Sequence, residues 1–199
     1  MSLMYAQLPI DNFIVRDCDI KLHATTADKN LLATNTASTY KSVIFTNNII
    51  YCTDGNAVNY KVFNNANATI ANLEFKNNTL AAVYPKDTNG FIHVKAITTA
   101  SIETNLFYLP VYSSTNTKYS GIIWMPQNTS ETGIAFTKNL AFYNYDKVPS
   151  TRMKCSFYRN DVTGEIYNKA STDNPIPTPD YENGVFVQGE NYVSYGAKR

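Results

Sequence analysis

Short segments that mix apolar and polar residues recur along the chain at a nearly constant interval. Each has the pattern apolar, polar, polar, Asn, variable, apolar, and the first residues are 30, 30, 27 and 34 positions apart: Val15, Phe45, Phe75, Ile102 and Phe136. The fourth position is Cys18 in the first segment and asparagine in the others: Asn48, Asn78, Asn105 and Asn139. Short apolar runs that meet a turn-forming residue predict strands ending at a corner.

A second set of apolar-rich segments lies between those of the first set. Aligned on Lys61, His93, Trp124 and Lys154, its members are 32, 31 and 30 residues apart. Two sets with one period predict a solenoid, in which each turn of the chain lays its strands parallel to those of the turn before. Asparagines at the same corner of every turn can stack their amides, and asparagine tolerates the left-handed backbone that such a corner requires.

The composition agrees with strands joined by polar corners. The chain of 199 residues has 24 Asn, 22 Thr, 15 Tyr and 10 Phe but only 8 Gly. Thr, Tyr and Phe favour strands, and Asn favours turns. The composition therefore predicts an all-β protein and argues against a helical bundle or a dinucleotide-binding α/β fold.

Charge and hydropathy exclude several classes of partner. The formal net charge is +1, which gives no overall attraction to nucleic acid or to anionic membranes. No run of about 18 apolar residues is present, so we expect no membrane insertion. The three cysteines, Cys18, Cys52 and Cys155, are too far apart in sequence to predict a metal cluster.

The repeated pattern resembles the right-handed parallel β-helix of the pectate-lyase-like superfamily, and above all small β-helix proteins of Bacteroidetes. The resemblance covers roughly residues 12–190 and rests on the repeat, not on a catalytic motif. It implies an all-β, single-stranded right-handed parallel β-helix (solenoid) of about five to six coils with an Asn ladder. We expect one domain over residues 1–199, with regular coils over 12–170. A Pro-rich loop, a last strand and a C-terminal cap or tail are expected over 171–199.

Alternation along the first strand of each coil predicts which side chains face outward. Aligned coils then give an external column flanked by further aromatic and cationic residues, with the candidate ligand-binding set Lys61, Phe91, His93, Lys95, Trp124 and Lys154. Aromatic faces stack on sugar rings, and lysines pair with carboxylates or sulfates. In the superfamily that the chain resembles, substrate lies on this face. The leading hypothesis is therefore a module that binds polysaccharide or oligosaccharide.

Two other functions remain open at this stage. The first is a polysaccharide lyase that acts by β-elimination on uronic-acid-containing glycans, with Lys154, Arg152 and His93 in acid–base roles. The resemblance implies a calcium ion for such a lyase; otherwise we expect no cofactor and no metal. The second is a structural or adhesin-like β-solenoid, for which the asparagines are purely architectural.

The expected setting follows from the same resemblance and from the composition. Surfaces rich in Asn, Thr and Tyr are typical of secreted bacterial proteins that handle glycans. We therefore expect a secreted, cell-surface or periplasmic protein, with the signal peptide absent from this sequence. Other domains of a longer parent chain are expected as partners.

Overall fold

The structure is a computed structural model that describes residues 2–6, 10–22, 29–34, 37–52, 58–81, 83–84, 91–109, 123–124, 133–143, 158–160, 165–167, 180–182, 185–187 and 195–198. All regular elements in these residues are strands, which confirms the all-β prediction for this part of the chain. Among the same residues, no helix is long and apolar enough to cross a lipid bilayer.

The strands follow the period of the sequence and form five repeats. The first repeat contains β1 (Ser2–Ala6), β2 (Asn12–Arg16) and β3 (Asp19–Leu22), and the second contains β4 (Lys29–Thr34), β5 (Thr39–Thr46) and β6 (Ile49–Cys52). The third contains β7 (Val58–Lys76), β8 (Thr79–Ala81) and β9 (Val83–Tyr84), and the fourth contains β10 (Ile92–Glu103) and β11 (Leu106–Leu109). The fifth contains β12 (Ile123–Trp124), β13 (Ile134–Thr137) and β14 (Leu140–Tyr143).

Equivalent strands of successive repeats pair in parallel. One sheet of eleven strands has the order β1-β4-β7-β10-β12 and continues into β15 (Tyr158–Asn160) and β16 (Glu165–Tyr167). The same sheet includes β2, β5 and β13, because the long strands β7 and β10 cover two successive strand positions. A second sheet of five strands has the order β14-β11-β8-β6-β3, with parallel pairing throughout.

Antiparallel pairs occur only toward the C-terminal end of the described residues. β15 pairs with β16 in this way, and β17 (Asp180–Glu182) pairs with β18 (Val185–Val187) in a separate two-stranded sheet. Regular coils are predicted over residues 12–170, and the antiparallel pair of Tyr158–Asn160 with Glu165–Tyr167 falls within that range.

The core lies between the sheets and is filled by alternating side chains of the strands. Val43 and Phe45 of β5, with Leu73 and Phe75 of β7, are completely buried. The rings of Phe45 and Phe75 have centroids 6.0 Å apart. Burial of a side chain of this size stabilises the folded state by about 1.5–3 kcal/mol. Along these stretches of β5 and β7, the alternation of apolar residues therefore marks the inward face correctly.

The ring pair of Phe45 and Phe75 is not continued by the residue in the same position of the next repeat. Ile102 pairs with Phe75 in the backbone register, whereas the ring stacked on Phe75 is that of Phe107 in β11, at 6.5 Å. Phe107 in turn stacks on Phe91, with ring centroids 6.1 Å apart. The stack thus crosses from the larger sheet to the smaller one, and the side chain of Phe136 lies outside the described residues.

The corner that leads from the eleven-stranded sheet into the five-stranded sheet is two residues long in all five repeats. We call it the ladder corner, and its residues are 17–18, 47–48, 77–78, 104–105 and 138–139. The first residue has a left-handed backbone in every case, with φ between 51° and 58°: Asp17, Asn47, Asn77, Thr104 and Lys138. The prediction that the ladder asparagine itself adopts this conformation is therefore wrong by one position.

The second residue of the ladder corner forms a continuous line of amide hydrogen bonds. Nδ2 of Asn48 donates to Oδ1 of Asn78 at 2.9 Å, Asn78 donates in the same way to Asn105 at 3.1 Å, and Asn105 donates to Asn139 at 2.8 Å. The backbone N–H of each donor residue reaches the same oxygen. All four side chains are buried.

Each ladder amide also bonds backward to the preceding repeat. Nδ2 of Asn78 donates to the carbonyl of Phe45 at 2.8 Å, and the other three asparagines repeat this contact with Val15, Phe75 and Ile102. An unpaired buried amide group costs about 1–3 kcal/mol, so an asparagine moved out of line would leave several such groups unpaired. The ladder therefore fixes how the repeats align at this corner.

Candidate functional site

The face formed by the first strand of each repeat is where the sequence placed a candidate ligand site. In the structure, His93 of β10 lies opposite Trp124 of β12, as predicted. On its other side, however, His93 lies opposite Asn64 of β7 and not opposite Lys61. Lys61 lies three residues before Asn64 in β7, and it pairs with Asn30. The prediction that Lys61 neighbours His93 is therefore wrong.

The backbone register defines a different row of residues, which we call the strand-one column. It consists of Ala33, Asn64, His93, Trp124 and Arg159, each opposite the next. Arg159 thus takes the place next to Trp124 that the sequence analysis gave to Lys154. Lys154 and Arg152 themselves lie outside the described residues, so their acid–base and binding roles stay predictions.

The first and second strand positions have different registers because the corner between them changes length between repeats. Asn65 pairs with Val94 and Thr69 pairs with Ala96, so residues 66–68 of the third repeat stand opposite the single residue Lys95 of the fourth. Oδ1 of Asn65 accepts the N–H of Asn67 at 3.0 Å, which closes a local turn within the longer corner. The spacing between paired residues of the third and fourth repeats therefore changes by two residues between the second and the first strand position.

Phe91 does not belong to the outward face. Its side chain is 1% exposed and packs in the core, where it stacks on Phe107. The Phe91 carbonyl accepts two consecutive N–H groups, from Val62 at 2.7 Å and from Phe63 at 3.2 Å. This arrangement is a β-bulge, and both Val62 and Phe63 are buried. Alternation is broken there, so the prediction that the side chain of Phe91 faces outward is wrong.

His93 is held by its neighbour in the strand-one column. Its side chain is half-buried, and Nδ1 lies 3.0 Å from Oδ1 of Asn64. Because an amide oxygen only accepts hydrogen bonds, this contact requires a proton on Nδ1 and puts the lone pair of the neutral ring on Nε2. Lys95, two residues further on, is exposed as predicted. For Lys61 and Trp124, the structure gives the backbone register.

The second strand position carries a polar row that the sequence analysis missed. Asn12, Ser42, Asn72 and Thr99 lie opposite one another in register. The hydroxyl of Thr99 contacts the carbonyl of Ala71 at 2.9 Å and Oδ1 of Asn72 at 3.2 Å. At the ends of β7 and β10, the ammonium of Lys76 lies 3.9 Å from the carboxylates of both Glu74 and Glu103. Such half-exposed pairs contribute about 0–1 kcal/mol each.

Acid–base and metal chemistry have few described participants. The described residues contain no group of three or more His, Cys, Asp or Glu side chains placed to hold a metal ion. Burial raises the pKa of Tyr51 above 10.0, and the carboxylate of Asp19 adds to the shift. Tyr51 is therefore uncharged at neutral pH.

Asn64, like Ala33 and Arg159, is a residue of the strand-one column that sequence reasoning did not find. The signal for it was present in the pair Asn65 and Asn67, which marks the local turn. If the register is counted backward from that turn, and not forward by thirty residues, Asn64 lies opposite His93.

Comparisons with protein-family models, curated proteins and solved structures found no match to this chain.

Proposed function

We propose that the chain is a right-handed parallel β-helix that binds polysaccharide along its strand-one column. The helix proposal is supported by parallel pairing between each strand and its equivalent about thirty residues later, in two sheets. It is also supported by the constant two-residue ladder corner between these sheets. In this proposal the protein acts outside the cell, alone or beside other domains of a longer chain.

The single observation that carries the binding proposal is the register of Asn64, His93 and Trp124 on three adjacent strands. Adjacent strands lie about 4.8 Å apart, so the three residues span about 10 Å. That length suits a disaccharide unit. An indole ring offers an apolar face to a sugar ring, and an amide and an imidazole offer donors and acceptors to its hydroxyl groups.

Lys95 gives the same face a positive charge at its edge. The side chain is exposed and lies two residues beyond His93 along β10. A lysine in this place would pair with a carboxylate or sulfate of an acidic glycan. The proposal therefore includes both neutral and acidic polysaccharides, with tighter binding of acidic ones at low salt because salt screens an exposed charge.

Affinity electrophoresis in gels that contain different polysaccharides tests the proposal. We expect Trp124→Ala and Asn64→Ala each to weaken retention of the wild-type ligand about tenfold, since each removes a stacking or hydrogen-bonding group. Lys61→Ala separates the observed register from the one expected from sequence, and Thr99→Ala controls for the neighbouring face. Neither should change retention appreciably.

The same experiment distinguishes the other functions. Equal retention of all four variants and the wild type would eliminate the strand-one column as the site. Ultraviolet absorbance of an unsaturated product, with or without added calcium, would establish the lyase alternative. Absence of retention on every glycan tested would leave the structural or adhesin-like β-solenoid. Unchanged thermal unfolding of each variant shows that a loss of retention is local.

A further inference from the structure

The segment of residues 195–198 runs across the ladder corners of three repeats. The N–H of Gly196 donates to the carbonyl of Thr104 at 2.7 Å in the fourth repeat. The N–H of Ala197 donates to Oγ1 of Thr79 at 2.9 Å in the third. The N–H of Lys198 donates to Oδ1 of Asn47 at 2.5 Å in the second. Three consecutive amides thus bond to three consecutive repeats, in reverse order.

The shape of this segment fits the surface that it crosses. Gly196 has φ of 73°, a left-handed conformation that glycine adopts without strain. Gly196 is buried, and Ala197 is 7% exposed, whereas Lys198 is exposed. Two small residues therefore lie against the ladder corners, and the long side chain that follows them points to solvent.

Thr79 is the residue that makes the middle contact specific. The position that follows the ladder asparagine is Ile49 in the second repeat and Leu106 in the fourth, and neither side chain can accept a hydrogen bond. In the third repeat it is Thr79, whose completely buried hydroxyl accepts the N–H of Ala197. A buried hydroxyl in an otherwise apolar position requires such a partner.

We propose that Thr104, Thr79 and Asn47 line a peptide-binding groove, the corner groove, and that residues 196–198 of the chain itself occupy it as a latch. The groove presents a backbone carbonyl, a hydroxyl oxygen and an amide oxygen to three successive main-chain N–H groups. It therefore recognises a segment of two small residues, the first of which adopts a left-handed backbone. This site is independent of the glycan site.

The latch differs from the sheets in how it is held. Its described residues bond through three amides and bury two small residues, Gly196 and Ala197, whereas each strand is bonded to its neighbours along its length. Segments with few buried apolar contacts open locally at lower free energy than core strands. The latch therefore opens and closes while the repeats stay folded, and each opening uncovers the corner groove.

Amide hydrogen exchange on the full chain tests the latch. We expect the amides of residues 196–198 to be protected in the wild type, and Thr79→Val to speed the exchange of Ala197 about tenfold by removing its acceptor. The matched control is Thr98→Val, which changes an exposed threonine and should leave that exchange unaltered. Exchange of all three amides at the rate of an unstructured peptide in the wild type would overturn the proposal. Equal effects of the two variants would also overturn it.

A second experiment tests the groove as a binding site. Gly196→Pro in the full chain removes one donor and forces φ to about −65°, so the latch cannot dock. We expect a fluorescent peptide of residues 191–199 to bind this variant saturably, as measured by anisotropy, and a scrambled peptide not to bind. Binding to the wild type should be weaker, because the tethered segment competes at high effective concentration. Failure of the peptide to bind the variant more tightly than the scrambled one would show that the groove is not a peptide site.

Discussion

The two corners of each repeat follow opposite rules. The ladder corner has two residues in every described repeat, with one left-handed residue followed by one that bonds to the next repeat. The corner between the first and second strand positions contains residues 66–68 in the third repeat and only residue 95 in the fourth. The ladder corner keeps successive repeats in register, and the corner between the first and second strand positions allows the register to change.

The difference has a physical cause. At the ladder corner, each asparagine must meet the asparagine of the next repeat, so an inserted residue would separate several buried hydrogen-bonding groups at once. At the other corner, Asn65 satisfies the backbone of its own repeat through the N–H of Asn67. A corner that is bonded within its own repeat can change length without disturbing its neighbours. A corner that is bonded between repeats cannot.

The most severe test of this comparison inserts one glycine into each corner of the third repeat. Between Asn77 and Asn78, we expect the free energy of unfolding to fall by about 5 kcal/mol or more, since several ladder bonds are lost together. Between Ala66 and Asn67, we expect a loss of about 1 kcal/mol, since the loop is only lengthened. Urea unfolding measures both values. Similar losses at the two sites would show that the corners do not differ.

Removal of a single ladder amide comes next in size. Asn78→Ala leaves the Asn48 amide and the Phe45 carbonyl without their partner, and we expect a loss of about 3–5 kcal/mol in urea unfolding. The control is Asn67→Ala at the variable corner, where the side chain is exposed and we expect a change within about 0.5 kcal/mol. A loss below 1 kcal/mol for Asn78→Ala would contradict the assigned role of the ladder.

The ladder can also be extended at its first position. Oδ1 of Asn48 accepts the N–H of Cys18 at 3.2 Å, but the thiol of Cys18 bonds to the carbonyl of Arg16 instead of joining the ladder. Cys18→Asn supplies an amide at this position, and we expect a gain of about 1 kcal/mol. Cys18→Ser has no group that reaches Asn48 and should give no gain. Equal unfolding midpoints for the two variants would argue against extension of the ladder.

The smallest expected effect concerns the left-handed position. Lys138 has φ of 51° and is exposed. Asparagine adopts this conformation more readily than lysine, so we expect Lys138→Asn to raise the free energy of unfolding by about 0.5 kcal/mol. The same substitution at Lys95, which is exposed and extended, should be neutral or slightly destabilising because asparagine disfavours strands. A gain at both positions would point to a cause other than backbone conformation.

The two corners also explain what could be predicted from the sequence. The asparagine column was visible because a corner of fixed length keeps the pattern around Asn48, Asn78 and Asn105 intact, even where the total repeat length changes. The strand-one column was not visible, because the variable corner changes the spacing of paired residues from 27 at Ala96 to 29 at His93, whereas the alignment of Lys61 with His93 assumes 32. The bulge at Val62 and Phe63 then reversed the expected direction of Phe91.

The latch left no signal in the repeat pattern. Ala197 and Thr79 are 118 residues apart, and the donor is a main-chain N–H that every residue except proline carries. At the position after the ladder corner, Thr79 is polar between the apolar Ile49 and Leu106, but Asp19 of the first repeat is polar as well. This departure from the pattern therefore does not by itself predict the contact.

The backward and forward bonds of each ladder amide have a consequence for how the repeats unfold. Nδ2 of Asn48, in the second repeat, bonds to Val15 in the first repeat and to Asn78 in the third, so one amide is bonded to both neighbouring repeats. In a linear array whose units interact with their nearest neighbours, an end unit has one partner and an inner unit has two, so the ends fray first. Loss of one ladder asparagine should therefore weaken the repeats on both sides of it and turn an inner position into a new end.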